Sequence, residues 1–295
     1  MSDITVAIIG LGYWGPNLLR NFYNESRCSV AWACDLDKSK WDRLARQYPD
    51  VSFTVDAKNI FTDSSVDLVV IATPVFAHYE LARNALLSGK HVLVEKPFAR
   101  SVSECDELIT LAEQRDKYIF IDHTFLFTGA IQKARELVEK GEIGDLFYFD
   151  SERINLGLIQ PDVNVIWDLA PHDFSIMQYV LAPLRPTHLT ASATRHVSDT
   201  LSEVAHIAVQ FESGVIAHVH VSWLSPVKIR KMLIGGDKKM IEINDLEPTE
   251  KLRIYDRGID VDREGETTDN PIYRSGDVNI PKLTQEEALS REVAH

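Results

Sequence analysis

The sequence predicts an α/β protein, with a doubly wound parallel sheet first and then a second α/β domain whose open sheet is largely antiparallel. Three observations carry this. Short β-branched runs alternate with helix-spaced segments through the first 122 residues. A glycine-rich turn, Gly10 to Gly15, joins the first strand to the first helix. From about residue 123 strand-like runs follow one another on short turns, the pattern of antiparallel pairing.

Taken in order, Ile4 to Ile9 reads as a strand, Pro16 to Asn24 as a helix, Val30 to Cys34 as a strand and Lys38 to Gln47 as a polar helix. Asp67 to Ala72, His91 to Val94 and Tyr118 to Ile121 continue the strands, with helices at Phe76 to Leu87 and Ser101 to Arg115. These strands are continuous apolar runs, as expected when helices cover both faces of a parallel sheet. Beyond residue 123, a helix over Ile131 to Lys140 closes on Gly141 and Gly144, Leu146 to Ile154 is a strand, and Asp168 to Leu181 is a helix. Strands are then expected at Thr187 to His196, Ala205 to Phe211, Val215 to Trp223, Ile229 to Ile234 and Met240 to Ile243, with a turn at Ser213-Gly214. Asp260 to Asp277, rich in charge and glycine, is expected to be a surface loop. The domain boundaries fall at 1–122 and 123–295.

The length of 295 residues suits two domains of about 100–200 residues each. Apolar residues make up 45% and charged residues 25%, a globular composition. The net charge of −13 repels phosphate backbones and anionic membrane surfaces, which argues against nucleic acid or membrane as partner. An anionic ligand must therefore be held by local donors. Cys28, Cys34 and Cys105 have no C-x-x-C spacing, the start has no basic leader, and no apolar run reaches the 18 or so residues of a membrane span. The expectation is a cytoplasmic protein.

Gly10-Leu11-Gly12-Tyr13-Trp14-Gly15 has the G-x-G-x-x-G spacing, weak alone but set here between a strand and a helix. Gly10 permits the tight turn, Gly12 lets the backbone approach a pyrophosphate and Gly15 allows close helix packing. The helix N-terminus would then meet the phosphates. Tyr13 and Trp14 either flank the pyrophosphate or mark packing. Asp35, twenty residues beyond Gly15, would accept hydrogen bonds from the adenosine ribose and repel a 2′-phosphate. That favours NAD over NADP, with Lys38 and Lys40 as the nearby cations. The bland reading of Asp35 is a helix N-cap, a role Asp37 can fill instead.

Glu95-Lys96-Pro97 follows a strand, at the edge where open α/β sheets bind ligands. An ammonium there would polarise a hydroxyl or carbonyl; otherwise it is a solvated Glu-Lys pair before a turn proline. Together with Ala72-Thr73-Pro74, His78 and Asp168-Leu169-Ala170-Pro171-His172-Asp173, these motifs resemble the glucose-fructose oxidoreductase/inositol dehydrogenase family, Gfo/Idh/MocA. The resemblance spans almost the whole chain. It implies a Rossmann domain, then an α/β domain whose sheet has one face toward the active site and often the other in a subunit interface, hence a homo-oligomer. It further implies that Lys96 is the catalytic lysine, that Pro97 follows a cis bond, that Glu95 approaches the nicotinamide ribose, and that Thr73, Pro74 and His78 line the cofactor cleft.

Asp168 and His172 match the family's D-x-x-x-H pattern. Four residues apart on a helix, they share a face and would reach one sugar hydroxyl. His172 is the better general base, since its intrinsic pKa lies near neutrality. The competing reading makes Asp168 an N-cap, with Pro171 in the first helical turn. His218 and His220 have strand i, i+2 spacing without an evident third metal ligand, so no metal is assigned and a satisfied sheet face is the preferred reading. His123 follows the last Rossmann strand, where the family chain enters the substrate cleft. Many members carry an Asn and Arg pattern there, and this departure weakens substrate inferences from the better-known members. Trp167 either covers the nicotinamide or substrate, or lies in the core.

The resemblance implies reversible hydride transfer between a sugar secondary alcohol and nicotinamide. His172 takes the hydroxyl proton, Lys96 assists electrostatically and Asp168 orients; either Lys96 or His172 is the proximate base. Arg153-Ile154-Asn155-Leu156-Gly157 and the run Asp162 to Trp167 look like members acting on nucleotide-linked sugars at C3, among them UDP-N-acetylglucosamine 3-dehydrogenases. Arg153 and Asn155 share one strand face and are read either as contacts to a diphosphate and sugar hydroxyls or as an exposed face. Inositol or a free sugar is the alternative substrate. A non-catalytic NAD-binding regulator or scaffold is the alternative of another class. Family members usually continue beyond an acidic helix like Gln285 to His295, so a missing C-terminal tail is expected, with some apolar surface of the first domain uncovered.

Overall fold

A computed structural model describes residues 4–157, 159–160, 162–260 and 272–295. By internal packing they form two units, the described residues of 4–124 with 287–295, and those of 125–286.

The first unit runs β1 (Ile4–Ile9), α1 (Gly15–Asn24), β2 (Cys28–Cys34), α2 (Trp41–Gln47), β3 (Ser52–Thr54), α3 (Lys58–Thr62), β4 (Leu68–Ile71), α4 (His78–Leu87), β5 (His91–Glu95), α5 (Val102–Gln114) and β6 (Ile119–Asp122). Its six strands are parallel in the order β3-β2-β1-β4-β5-β6, the doubly wound arrangement the alternation predicts. Val6 and Ile8 of β1 pack with Leu18, Leu19 and Phe22 of α1 on one face. Ala7 and Ile9 join Ala82, Ala85 and Leu86 of α4 and Leu108 of α5 on the other. Both faces of β1 are therefore core, and burying a side chain such as Leu18 or Leu86 contributes about 1.5–3 kcal/mol.

The second unit runs α6 (Gly129–Glu139), β7 (Leu146–Leu156), α7 (Val165–Leu181), β8 (Pro186–Thr194), β9 (Val204–Phe211), β10 (Ile216–Ser222), β11 (Leu224–Gly236), β12 (Met240–Asn244), β13 (Leu252–Tyr255), β14 (Gly258–Asp260), β15 (Ile272–Arg274) and β16 (Val278–Asn279). Eight strands form a mixed, mostly antiparallel sheet in the order β16-β13-β12-β11-β7-β10-β9-β8, with β7 and β10 parallel. Ala134, Leu137, Ile176 and Val180 of α6 and α7 cover one face through Phe149, Ile207, Val219 and Ile234. Asp150, Glu152, His206, His218, His220 and Lys231 line an open groove of about 500 Å³ on the sheet.

The chain's last helix, α8 (Ala288–Ala294), belongs by packing to the first unit. The split at 122/123 assigns it to the second domain. Leu289 and Val293 find their apolar partners among the residues around α1, and Arg20 holds Glu287 through two hydrogen bonds of 2.9 and 2.5 Å.

Three local expectations change. Lys38 to Gln47 is a 3-10 turn (Lys38–Lys40) followed by α2, because Asp37 caps the turn at the Ser39 N–H. α7 begins at Val165, three residues early, because Asn164 Oδ1 accepts from the Trp167 N–H at 3.0 Å and so supplies the cap. The expected loop Asp260 to Asp277 has paired ends, β14 with β15, and its residues 261–271 lie outside those described.

Candidate functional site

Gly10 closes the first turn at φ +99°, where a Cβ would come 2.4 Å from the Ala72 carbonyl oxygen. A Cβ on Gly15 would lie 1.9 Å from the Gly10 oxygen, so this glycine lets the helix seat on the turn. Gly12 has nothing within 4 Å of its Cβ position, which leaves the side of the loop where a pyrophosphate would approach open. Trp14, the N-cap of α1, makes no side-chain cap bond, so the helix's leading N–H groups are not covered by a capping side chain. Tyr13 is 93% exposed. Trp14 packs against the core and its Nε1 donates to Asp122 Oδ2 at 2.8 Å, so its contacts are those of packing.

Asp35 is not a cap. Its Oδ2 accepts from the Leu11 N–H at 2.7 Å and its Oδ1 from the Asp37 N–H at 2.9 Å, with Lys40 Nζ 3.2 Å from both oxygens. The carboxylate thus stands between the glycine loop and the end of β2, where a ribose would be read. Thr73 Oγ1 is buried without a hydrogen-bond partner among the described residues. The open Gly12 side, the helix terminus, Asp35 and this hydroxyl fit a dinucleotide.

Glu95 and Asp122 lie in register at the ends of β5 and β6, so Lys96 and His123 leave the sheet side by side. The Lys96–Pro97 bond is cis. His78 is buried, with Nδ1 2.9 Å from the Pro97 carbonyl and Nε2 2.8 Å from the Thr73 carbonyl, tying the lysine turn to the Thr73-Pro74 loop. Glu292 of α8 accepts the His123 backbone N–H at 3.0 Å.

Three carboxyls therefore crowd one site. Burial, and then the Asp122 charge, raises Glu95 well above the usual carboxylate range. Burial also pushes Asp122 up, but hydrogen bonds with Glu95, Thr124 and Trp14 outweigh it and leave it low. Glu292 is pushed up to about 9 by burial and by Asp122. Of the three, Asp122 is the one whose hydrogen bonds favour the carboxylate form. Burial lowers the His123 pKa, as does Lys96, and its Nδ1 is buried without a partner among the described residues.

In the second unit Asp168 lies in the first turn of α7 and His172 one turn on, so they share a face. With Asn164 as the cap, Asp168 is released from that role; its Oδ2 accepts from Trp223 Nε1 at 3.1 Å. Pro171 is inside the helix, not in its first turn, and offers no N–H to the Trp167 carbonyl. The His172 ring meets Phe125 edge-on, centroids 4.8 Å apart. Trp167 is 37% exposed, so it is not a core tryptophan, and Asn155 is half-buried near the end of β7.

Arg153 requires correction. It is 3% exposed, and its Nε and Nη2 donate to Asp173 at 2.8 and 3.2 Å, while Ser151 Oγ donates to the same carboxylate at 2.6 Å. Neither an exposed face nor a diphosphate contact describes it: α7 covers this part of the strand and the guanidinium is committed. His218 Nδ1 lies 3.0 Å from Asp150 and His220 Nδ1 3.1 Å from Glu152, while His206 stacks on His220 at 4.0 Å. No group of three or more His, Cys, Asp or Glu side chains among the described residues is arranged to hold a metal.

The first unit thus gathers Gly10, Gly12, Gly15, Asp35, Thr73, His78, Glu95, Lys96, Pro97 and His123 around one sheet end, with Pro74 exposed beside them. The second gathers Trp167, Asp168 and His172 on α7. Sequence reading missed Trp223 and Glu292, which reach their partners from distant elements; only the chemistry of a buried indole or carboxyl could have suggested them.

Residues 4–123 match the GFO_IDH_MocA oxidoreductase family, NAD-binding Rossmann fold, and residues 131–242 match the GFO/IDH/MocA C-terminal domain. A 1-carboxy-3-chloro-3,4-dihydroxycyclo hexa-1,5-diene dehydrogenase of Comamonas testosteroni is 27% identical over 74% of this chain and 57% of its own length. UDP-N-acetylglucosamine 3-dehydrogenase of Acidithiobacillus ferrooxidans is 26% identical over 99% of this chain and 87% of that protein. The crystal structure of a putative oxidoreductase from Magnetospirillum magnetotacticum MS-1 superposes with a TM-score of 0.83 at 25% identity, over 99% of this chain and 90% of the other. The chain spans about half the length of several curated relatives it matches. No helix among the described residues is long and apolar enough to cross a membrane.

Proposed function

This chain belongs to the GFO/IDH/MocA oxidoreductase family, and from that premise we propose that it is an NAD-dependent dehydrogenase or reductase acting on a secondary alcohol of a nucleotide-linked sugar, at C3. The observation that carries the reading is that each unit holds part of the chemistry a hydride transfer needs. Lys96 stands at the carboxyl edge of β5 in the NAD-binding unit, and Asp168 and His172 share a face of α7.

Gly10, Gly12, Gly15 and Asp35 would hold the dinucleotide, with Thr73, Pro74, His78, Glu95 and Pro97 beside its nicotinamide end. Bound NAD supplies the hydride acceptor, or the donor in the reverse direction. His172 accepts the hydroxyl proton from oxygen, Asp168 orients the hydroxyl and imidazole, and Lys96 stabilises the developing alkoxide with its positive charge. Trp167, His123 and Asn155 are the remaining substrate contacts in this reading. The 26% identity to UDP-N-acetylglucosamine 3-dehydrogenase across nearly the whole chain supports the nucleotide-linked substrate. Self-association through the second unit's sheet is part of the same proposal.

The test is incubation with NAD and a panel of UDP- and dTDP-sugars with a ketone trap, following NADH absorbance and locating the oxidised carbon by NMR. Oxidation at C3 is expected. Tight NAD binding with no redox activity in either direction overturns the enzymatic reading, and turnover confined to inositol or unlinked sugars overturns the nucleotide-linked one.

A further inference from the structure

With a net charge of −13, any anionic substituent of the substrate needs a cation placed for it, and the buried Arg153–Asp173 pair cannot supply one. Arg153 is paired across the antiparallel ladder with Arg230 of β11, so the two side chains leave the sheet on the same face. Arg230 differs in every respect that matters. Its side chain is 32% exposed, and its single hydrogen bond among the described residues is a long 3.5 Å contact from Nη1 to Asp245 Oδ2. Asp245 is shared, with Lys251 Nζ 3.5 Å from its other oxygen. Two cations against one carboxylate leave the spot net positive.

The position of this charge gives it a use. The Arg230 guanidinium lies 5.7 Å from the centroid of Phe125, the ring that His172 meets edge-on at 4.8 Å. Guanidinium and imidazole thus contact one and the same phenyl ring, which Arg153 also approaches at 4.7 Å, so a sugar with its alcohol at the imidazole would carry an anionic substituent toward the Arg230 guanidinium. A guanidinium with unused donors matches phosphate oxygens in a two-pronged geometry that an ammonium cannot reproduce.

We infer that Arg230 is the anchor for the diphosphate of a nucleotide-linked sugar. This rests on the proposed function and extends it to a residue outside the motifs. The test measures binding of UDP-N-acetylglucosamine, UDP and the uncharged methyl glycoside of N-acetylglucosamine to the NAD-loaded protein by calorimetry, for the wild type, Arg230→Gln and Arg230→Lys. Arg230→Gln is expected to weaken both UDP ligands about 10- to 100-fold and to leave the methyl glycoside unchanged, as for loss of a charge-assisted contact. KM for the UDP-sugar rises by a like factor while kcat stays within about threefold. Arg230→Lys falls between, and its melting temperature separates lost binding from lost folding. Unchanged UDP affinity in Arg230→Gln, where the wild type binds UDP, overturns the anchor and leaves the nucleotide-sugar reading standing. A wild type that turns over an uncharged sugar but binds neither UDP ligand overturns both.

Discussion

Trp223 fixes one oxygen of Asp168: its Nε1 donates to Oδ2 at 3.1 Å from a side chain only 2% exposed. The backbone around the indole is held at both ends, Trp223 N–H to the Glu203 carbonyl and Gly157 N–H to the Trp223 carbonyl, each at 3.0 Å. Gly157 makes the slot, since a Cβ there would come 2.8 Å from the indole Cδ1. Trp223 thereby holds one oxygen of the carboxylate in place, and under the proposed function it is a positioning residue.

Replacing the indole donor tests this. Trp223→Phe keeps most of the ring volume but removes the N–H, and kcat is expected to fall about 10-fold, a loss in the range of one hydrogen bond to a charged group. NAD affinity, a property of the other unit, stays unchanged. Gly157→Ala, which crowds the ring without touching Asp168, should give a smaller loss of the same kind. Unaltered kcat in both variants removes Trp223 from the mechanism.

Lys96→Ala is expected to lose most turnover, about 100-fold or more, as for removal of a general acid–base or electrostatic group. Fluorescence titration should return the wild-type NAD affinity, because the glycine loop and Asp35 are untouched. Near-normal turnover would sink the assignment of Lys96.

The Arg153–Asp173 pair is structural, and the prediction about it concerns stability. Asp173→Asn leaves a buried guanidinium without its counter-charge and is expected to cost about 3–5 kcal/mol, read as a lower midpoint in urea. Replacing both residues with apolar ones of similar volume should recover much of that loss. A double variant as unstable as Asp173→Asn would contradict the account.

What the sequence made legible, and what it hid, divides along physical lines. The glycine loop and the continuous apolar strands are local patterns that spacing exposes, whereas Lys96 and the Asp168–His172 pair are short local motifs whose roles came from the family resemblance. Arg153 and Arg230 show the limit. Both are arginines on the same face of one sheet, and only the packing of α7, which brings Asp173 onto Arg153, reveals that one charge is neutralised while the other stays accessible. The start of α7 was hidden for another reason: Asp162 to Val165 alternates polar and β-branched residues as a strand does, and the Asn164 cap overrides that pattern. Glu292 reaches Asp122 only through the fold, 170 residues along the chain, beyond anything periodicity reports.

Glu292 also gives a pH dependence whose sign follows from its surroundings. In the folded chain its carboxyl titrates at about 9, against about 4.5 when unfolded. Between those values the native state holds a proton that the unfolded state has released, so stability falls as pH rises across the window. The contribution is fully present below about pH 4.5 and gone once pH passes the folded pKa; its slope is at most about 1.4 kcal/mol per pH unit. Leu289 buried near α1 and the Arg20–Glu287 pair hold α8 independently of this proton, so the helix is expected to loosen with rising pH before the sheet does. Glu292→Gln, which cannot ionise, should flatten the fall in melting temperature between pH 5 and 9 and keep amide exchange in α8 slow at the alkaline end. A wild type whose melting temperature and α8 protection match those of Glu292→Gln at every pH would show that this carboxyl is not held protonated in the fold.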